Sequence, residues 1–392
     1  MNQFDPRIYL FTAGHFATDW AQSAIPALLP YFIATCHLSY QDAGTLIFAN
    51  ILLSSLCQPI FGYYADRVSK PWFAPLGPVI SGLSIAILPF TTNYWVIFAC
   101  CMFSGLGSSI FHPEAARMVN GLAGDHKGKA LGTFSVGGNA GFAVGPALAG
   151  FCAYVFDIHG LVLFGIVNVT VALLLHSKLP AIQTDIRQNR IEEVKSHPHL
   201  ALTNDWSSFG RLAITIFARS TGFATCNAFI PLYWIYVLGA SASSGSLALT
   251  ILFTLGAFVT YFGGILSDRI GFVRILRLAF MLMIPAMLLL VNSPTVPIAT
   301  AALIPAAFAL FAPYSAIVVL GQSYLGKNIG FASGVTLGLS TTIGGVLSPF
   351  IGRAADLWGI QTALQILWIV PIFAAIAAFT LRTPPVLVQK KK

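Results

Sequence analysis

About twelve apolar stretches run through the chain in order, each near the ~20 residues that a helix needs to cross a bilayer, and the Lys and Arg residues collect in alternate gaps between them. Only helices and closed barrels satisfy their backbone polar groups in lipid, and stretches this long and continuously apolar are helices. The spacing predicts spans at 8–34, 42–64, 73–91, 94–116, 130–155, 160–178, 209–238, 245–266, 275–292, 297–320, 330–352 and 361–381. The expected fold class is therefore an all-α polytopic membrane protein with twelve transmembrane helices, embedded in a lipid bilayer.

Charged residues make up only 9% of the 392 positions and hydrophobic ones 56%, against about 25% charged in a soluble domain. The net charge of +8 is a matter of placement. Basic residues gather at 67–70, 127–129, 178–195, 269–277, 327 and 382–392, whereas the intervening connections near 36–41, 91–93, 157–159, 239–245 and 292–297 carry none, and Arg353 is the one basic residue at an outer boundary. That alternation is the positive-inside pattern of cytoplasmic loops, so both termini are expected in the cytoplasm and no nucleic-acid partner is implied. Five of the six cysteines fall inside expected spans, which implies neither a disulfide framework nor a metal-spaced cluster. No cleavable signal pattern precedes the first span.

The longest polar stretch, 179–208, divides the chain into an N-terminal bundle of six spans (1–178) and a C-terminal one (209–392) with a short basic tail. An internal repeat supports the division. Gly62-Tyr-Tyr-Ala-Asp66-Arg67 recurs 202 residues on as Gly264-Ile-Leu-Ser-Asp268-Arg269, Gly141-x-x-x-Gly145-Pro146 recurs 203 residues on as Gly344-x-x-x-Ser348-Pro349, and Pro113 matches Pro313. Transporters built from repeats place their binding site between them, near the bilayer midplane.

Two six-span halves with Gly-x-x-x-Asp-Arg in both the 2–3 and 8–9 loops resemble the major facilitator superfamily along the whole chain. A narrower resemblance, to the fosmidomycin resistance proteins among drug-efflux pumps, rests on four runs. They are His15-x-x-x-Asp19-x-x-Gln22-Ser23, Gln58-Pro59-x-x-Gly62-Tyr63-x-x-Asp66, Gly107-Ser-Ser-Ile-Phe-His112-Pro113-Glu114-x-x-Arg117 and Gly137-Gly-Asn139. The resemblance implies a central cavity lined by spans 1, 4, 7 and 10, a conformational latch at Asp66, Arg67, Asp268 and Arg269, and a substrate carrying a phosphonate. Gly141, Gly145, Pro146 and Gly150 resemble the superfamily's antiporter signature, with Ala149 where a second glycine is usual.

Ionisable groups inside a membrane are costly and start as functional candidates. Here they are His15 and Asp19 in span 1, His112, Glu114 and Arg117 in span 4, and Arg211 and Arg219 in span 7. His15 and Asp19 stand four residues apart and share a helix face, which suits binding and release of a proton or a plain packing hydrogen bond. His112 and Glu114 are further proton-coupling candidates beside a helix-bending proline. Arg117, three residues after Glu114, reads as its ion-pair partner near the latch. Arg219, about ten residues into its span, offers a fork of donors suited to a carboxylate or phosphonate, or to a permanent ion pair across the cavity. Gln22, Asn139, Asn227, Phe229 and Tyr314 are expected to shape the pocket around it.

Two departures from the family pattern matter. Val68-Ser69-Lys70 lacks the glycine that Gly271 supplies in the second latch copy, and Cys101 holds the place where many drug–proton antiporters carry an arginine before Gly105-Leu-Gly107. His15, Asp19, His112 and Glu114 are the natural substitutes in a proton relay. Nothing in the sequence suggests a nucleotide-binding loop, a metal cluster or any cofactor. The expectation is a monomeric, non-enzymatic proton-coupled antiporter of a bacterial inner membrane that exports a small anionic drug or metabolite. Its closest rival is a symporter importing an organic anion. A membrane enzyme using His112 and Glu114 as an acid–base pair, or a channel, has less in its favour, since nothing resembles a selectivity ring.

Overall fold

A computed structural model of the protein describes residues 5–38, 40–67, 70–155, 157–196 and 203–388. Residues 68–69, where the first latch copy lacks its glycine, residues 197–202 of the expected linker and residues 389–392 of the basic tail lie outside the described residues. Every expected span falls on helix. The first six are α1 (Ile8–Cys36), α2 (Tyr40–Arg67), α3 (Phe73–Ile87), α4 (Tyr94–Leu122), α5 (Lys127–Val155) and α6 (Val162–Ser196). The rest are α7 (Trp206–Tyr236), α8 (Ala242–Ile270), α9 (Phe272–Val291), α10 (Val296–Phe311) with α11 (Tyr314–Tyr324), α12 (Ile329–Gly334) with α13 (Ser340–Trp358), and α14 (Ile360–Ala363) with α15 (Ile366–Thr380). Among the described residues, eight helices are long and apolar enough to cross a membrane, and the backbone forms no strand beyond an isolated bridge between Asn204 and Leu325.

Three spans are interrupted, the first two with a local cause. Span ten breaks between Phe311 and Tyr314 at Pro313, which has no N–H to donate to the preceding turn. Span eleven widens to a π-turn over Val335–Leu339, the geometry of one residue too many in an α-helix. Span twelve breaks between α14 and α15. The sixth span differs from expectation at its far end: α6 runs on to Ser196, through residues expected to be linker.

The chain forms two compact units. Unit 1 comprises Met1–Asp125, Thr133–Ala201 and Lys327–Leu339; unit 2 comprises His126–Gly132, Leu202–Gly326 and Ser340–Lys392. In unit 1, α1 is pinned from the side by the fully buried Asn168 of α6. Its amide donates to the carbonyls of Ala17 (2.7 Å) and Pro78 (3.0 Å) and accepts from Trp20 Nε1 (2.6 Å), so its three hydrogen bonds tie α1, α3 and α6 together. Trp20 also stacks on Phe164 at 4.3 Å between ring centres. A buried amide with these bonds made escapes the desolvation cost that an unpaired one would carry.

In unit 2, Asp205 caps α7 by accepting from the Ser208 N–H at 2.9 Å. Arg211 and Arg277 donate to carbonyls at the C-terminal end of α15, Arg211 to Thr380 (2.9 Å) and Arg277 to Leu381 (2.9 Å). Cations there complement the negative end of the helix dipole and satisfy carbonyls that have no partner within the helix.

Candidate functional site: a buried His–Asp–His triad and a lone arginine

Glycines in α5 bring α1 close. A Cβ on Gly137 or Gly145 would collide with the α1 backbone, and one on Gly141 would sit 2.7 Å from the Phe16 carbonyl. Small residues at this spacing let two helix backbones approach. Gly150, expected to belong to the same seam, is exposed with open space around it, and Pro146 is half-buried.

Against that seam lie His15 and Asp19 of α1, both buried. His15 Nε2 is 3.2 Å from Asp19 Oδ2, and His112 Nε2, from α4, is 3.2 Å from Asp19 Oδ1. His15 Nδ1 lies 2.8 Å from the Phe134 carbonyl and His112 Nδ1 2.9 Å from the Ser108 carbonyl. A carbonyl can only accept, so each Nδ1 carries hydrogen and each Nε2 is left facing the carboxylate. The Ser108 hydroxyl (3.0 Å) and Gln58 Nε2 (3.4 Å) also approach His112 Nδ1. The Asp19 Oδ1 contact falls outside hydrogen-bond geometry, and this oxygen is buried without a hydrogen-bond partner among the described residues. Gly138 completes the enclosure: a Cβ there would strike His15 Nε2 and stand 2.7 Å from Asp19 Oδ2.

Glu114 does not join the triad. It is fully buried and gives its carboxylate to Arg117, with contacts of 2.5 and 3.1 Å. Gln22 donates to Asn50 Oδ1 (3.0 Å), and Asn50 in turn donates to the Cys101 carbonyl (3.0 Å). Cys101, in the place of the expected arginine, thus contributes its backbone to a polar ladder. Asn139 is half-buried on α5.

In unit 2, Arg219 is buried. Its Nε donates to the Leu310 carbonyl at 2.9 Å, beside the Pro313 break, and its guanidinium carbon lies 4.4 Å from the centre of the half-buried Tyr314 ring. Among the described residues of unit 2 no carboxylate pairs with it. Phe223 lies on a further side, at 5.9 Å. The guanidinium is thus held by a carbonyl and aromatic faces, with its cationic charge uncompensated by an acid of its unit. Phe229 is buried, whereas Asn227, expected to share the pocket with Arg219, is exposed.

Asp66 accepts from the Gly330 N–H (2.7 Å) and the Phe331 N–H (2.9 Å) at the start of α12. Asp268 accepts from the N–H groups of Gly128 and Lys129, both at 2.8 Å, at the start of α5. Each motif glycine, Gly62 or Gly264, faces a second glycine, Gly330 or Gly128, so closely that a Cβ on either would collide with the other's carbonyl. Arg67 and Arg269 are exposed, Arg67 over the Tyr63 ring at 4.4 Å. Sequence reasoning did not single out Gln58, Ser108, Asn50, Asn168 or Gly138 as site residues. Gln58, Ser108, Asn50 and Asn168 carried a signal as polar residues inside expected spans, and Gly138 carried none of its own.

Residues 11–336 match the family described as Major Facilitator Superfamily. The chain is 28% identical over 379 residues to the MFS-type transporter YfnC of Bacillus subtilis, covering 95% of this chain and 92% of that protein. It is 26% identical over 371 residues to the fosmidomycin resistance protein of Escherichia coli, covering 93% and 90%. Its fold is similar to the crystal structure of the E. coli fucose:proton symporter FucP, with a TM-score of 0.74 at 16% identity over 96% of this chain and 98% of that one. With the family matched over most of its length and a solved transporter sharing its all-helical fold, the chain belongs to the major facilitator superfamily of membrane transporters.

Proposed function

We propose that the protein is a proton-coupled antiporter that exports a small anionic drug or metabolite, of the fosmidomycin type, by alternating access. The observation that carries this reading is the carboxylate of Asp19 lying between two imidazoles whose other nitrogens are already spent on carbonyls. With both rings neutral, each Nε2 presents a lone pair to a carboxylate oxygen 3.2 Å away, which is repulsive. A proton placed between His15 and Asp19 turns that repulsion into a charge-assisted hydrogen bond, and one on His112 Nε2 sets a cation beside the second oxygen. The triad is thereby suited to take up a proton from one side and release it to the other.

Arg219 supports the anionic substrate. A guanidinium held by one carbonyl and a tyrosine face keeps donors for a carboxylate or phosphonate. Gln22, Asn139, Phe229 and Tyr314 remain our candidates for shaping the pocket. We assign Glu114 and Arg117 to the latch with Asp66, Arg67, Asp268 and Arg269, since Glu114 is spent on its neighbour. The basic loops support a bacterial inner-membrane location with both termini cytoplasmic. We expect a monomer, with no enzymatic activity and no nucleic-acid partner.

The test is fosmidomycin susceptibility of a hypersensitive bacterium expressing the chain, beside an Asp19→Asn control of matched expression. Protection by the wild type that disappears in the control is the expected result. A well-expressed wild type that gives no protection overturns fosmidomycin as substrate. A sensitised strain points to uptake.

A further inference from the structure

We infer that His15, Asp19 and His112 form a binding site for a transition-metal dication of the zinc class, a capacity distinct from the transport proposed above. Three side-chain donors of the types that zinc takes, two imidazole nitrogens and a carboxylate, come together inside unit 1. Bonds of about 2.0–2.1 Å around a tetrahedral ion separate neighbouring ligand atoms by about 3.3 Å. The two nitrogen–oxygen separations here are both 3.2 Å, one to each oxygen of the carboxylate, and one donor atom from each of the three residues lies within 4.8 Å of the others. Three donors at most 4.8 Å apart come to about 3.3 Å around a tetrahedral ion through no more than about 1.5 Å of relative side-chain movement.

The surroundings are those of a metal site in two further respects. A histidine that ligates through Nε2 ordinarily donates its Nδ1–H to a carbonyl or carboxylate, which fixes the tautomer and aims the lone pair. Both rings do this, to Phe134 and to Ser108. Asp19 Oδ1 is buried and has no hydrogen-bond partner among the described residues, although the ring of His112 faces it. A dication would give that oxygen a ligand bond. Gly138 leaves the triad uncrowded, where a side chain would press on His15 and Asp19. Three protein ligands leave a fourth position for water, and an imidazole-rich set of this size favours zinc, cobalt, nickel or copper over magnesium.

The test is isothermal titration of the purified, tag-free protein in detergent with zinc chloride. It is paired with visible absorption on adding Co²⁺, whose d–d bands report the ligand set. One equivalent of zinc bound, no competition by magnesium, and a hundredfold or greater loss of affinity in Asp19→Asn and His112→Gln are expected. His176→Gln, at an exposed histidine, is expected to bind as the wild type does. Variants are compared only if they elute as the wild type does. A rise in the wild type's melting temperature with zinc, but not with magnesium, supplies a readout that needs no variant. Absence of saturable binding, or equal binding in Asp19→Asn and His112→Gln, overturns the site. The two readings fail separately: zinc binding by the wild type together with undiminished transport by Asp19→Asn would keep the metal site and reject the proton role.

Discussion

Asp19 and His112 lie far apart in the chain yet meet at 3.2 Å, because α4 packs on α1, while the α5 glycines bring a third helix against the α1 face that carries Asp19. The first prediction follows from that seam. Gly138→Ala inserts a methyl group between His15 Nε2 and Asp19 Oδ2, where the nearer contact cannot be accommodated without a shift. Overpacking of this kind costs about 1–3 kcal/mol. Transport driven by a pH gradient in proteoliposomes is expected to fall at least tenfold. Gly150→Ala, in open space, should leave it unchanged; equal loss in both would remove the steric argument.

Arg219 sets the second. Lysine in its place keeps the charge but loses the planar fork and the stacking on Tyr314. A charged hydrogen bond is worth about 1.5–3 kcal/mol, so Arg219→Lys should weaken binding of an anionic substrate about 10–100-fold. Direct binding measurements with the purified protein decide this, and an unchanged affinity removes Arg219 from the substrate site.

The two caps give a third. Asp66 and Asp268 are 202 residues apart, and so are the N–H groups they accept: Gly330 from Gly128, and Phe331 from Lys129. Asp268→Ala leaves the first turn of α5 without its carboxylate, at a cost of about 1–2 kcal/mol. The expected outcome is a lower melting temperature in detergent and slower turnover at unchanged substrate affinity. Asp66→Ala should do the same, and a change in affinity alone would argue against a role in conformation.

Asp205 provides a test by pH. Hydrogen bonding from Ser208 holds its carboxyl below the usual carboxylate range. A folded-state value below the unfolded one of about 3.9 means the stabilisation is present above that pH and is lost as pH falls through the folded value. Asp205→Ala should therefore cost about 1 kcal/mol at pH 7, and less in acid. Asn, an equally good cap, should be nearly neutral at pH 7 and show no such loss in acid. Equal destabilisation by Ala at all pH values would show that the charge is immaterial.

The apolar lengths and the alternating basic loops predicted every helical span, because a bilayer imposes length and polarity along the chain and both can be read in one dimension. The repeat was equally legible: Gly62 and Gly264 recur because two backbones pass too closely for any side chain, and Asp66 and Asp268 recur because each accepts two orphan N–H groups. The site was legible only in part. His15 and Asp19, four residues apart on one helix, could be read as partners, and so could Glu114 and Arg117.

That His112 would turn to Asp19 while Glu114, two residues on, would turn away depends on the rotation of α4 about its axis, which hydropathy does not encode. Gly138 and the carbonyls of Phe134 and Ser108 carry no signal of their own, since a backbone acceptor or a missing methyl acquires meaning only from what packs against it, and the polarity of Asn168 inside a span does not say which helices it ties. Local spacing and hydropathy thus settled the spans and the neighbours within one helix turn. Tertiary packing decided which buried polar groups from different helices face one another, because that depends on the rotation and close approach of helices far apart in sequence.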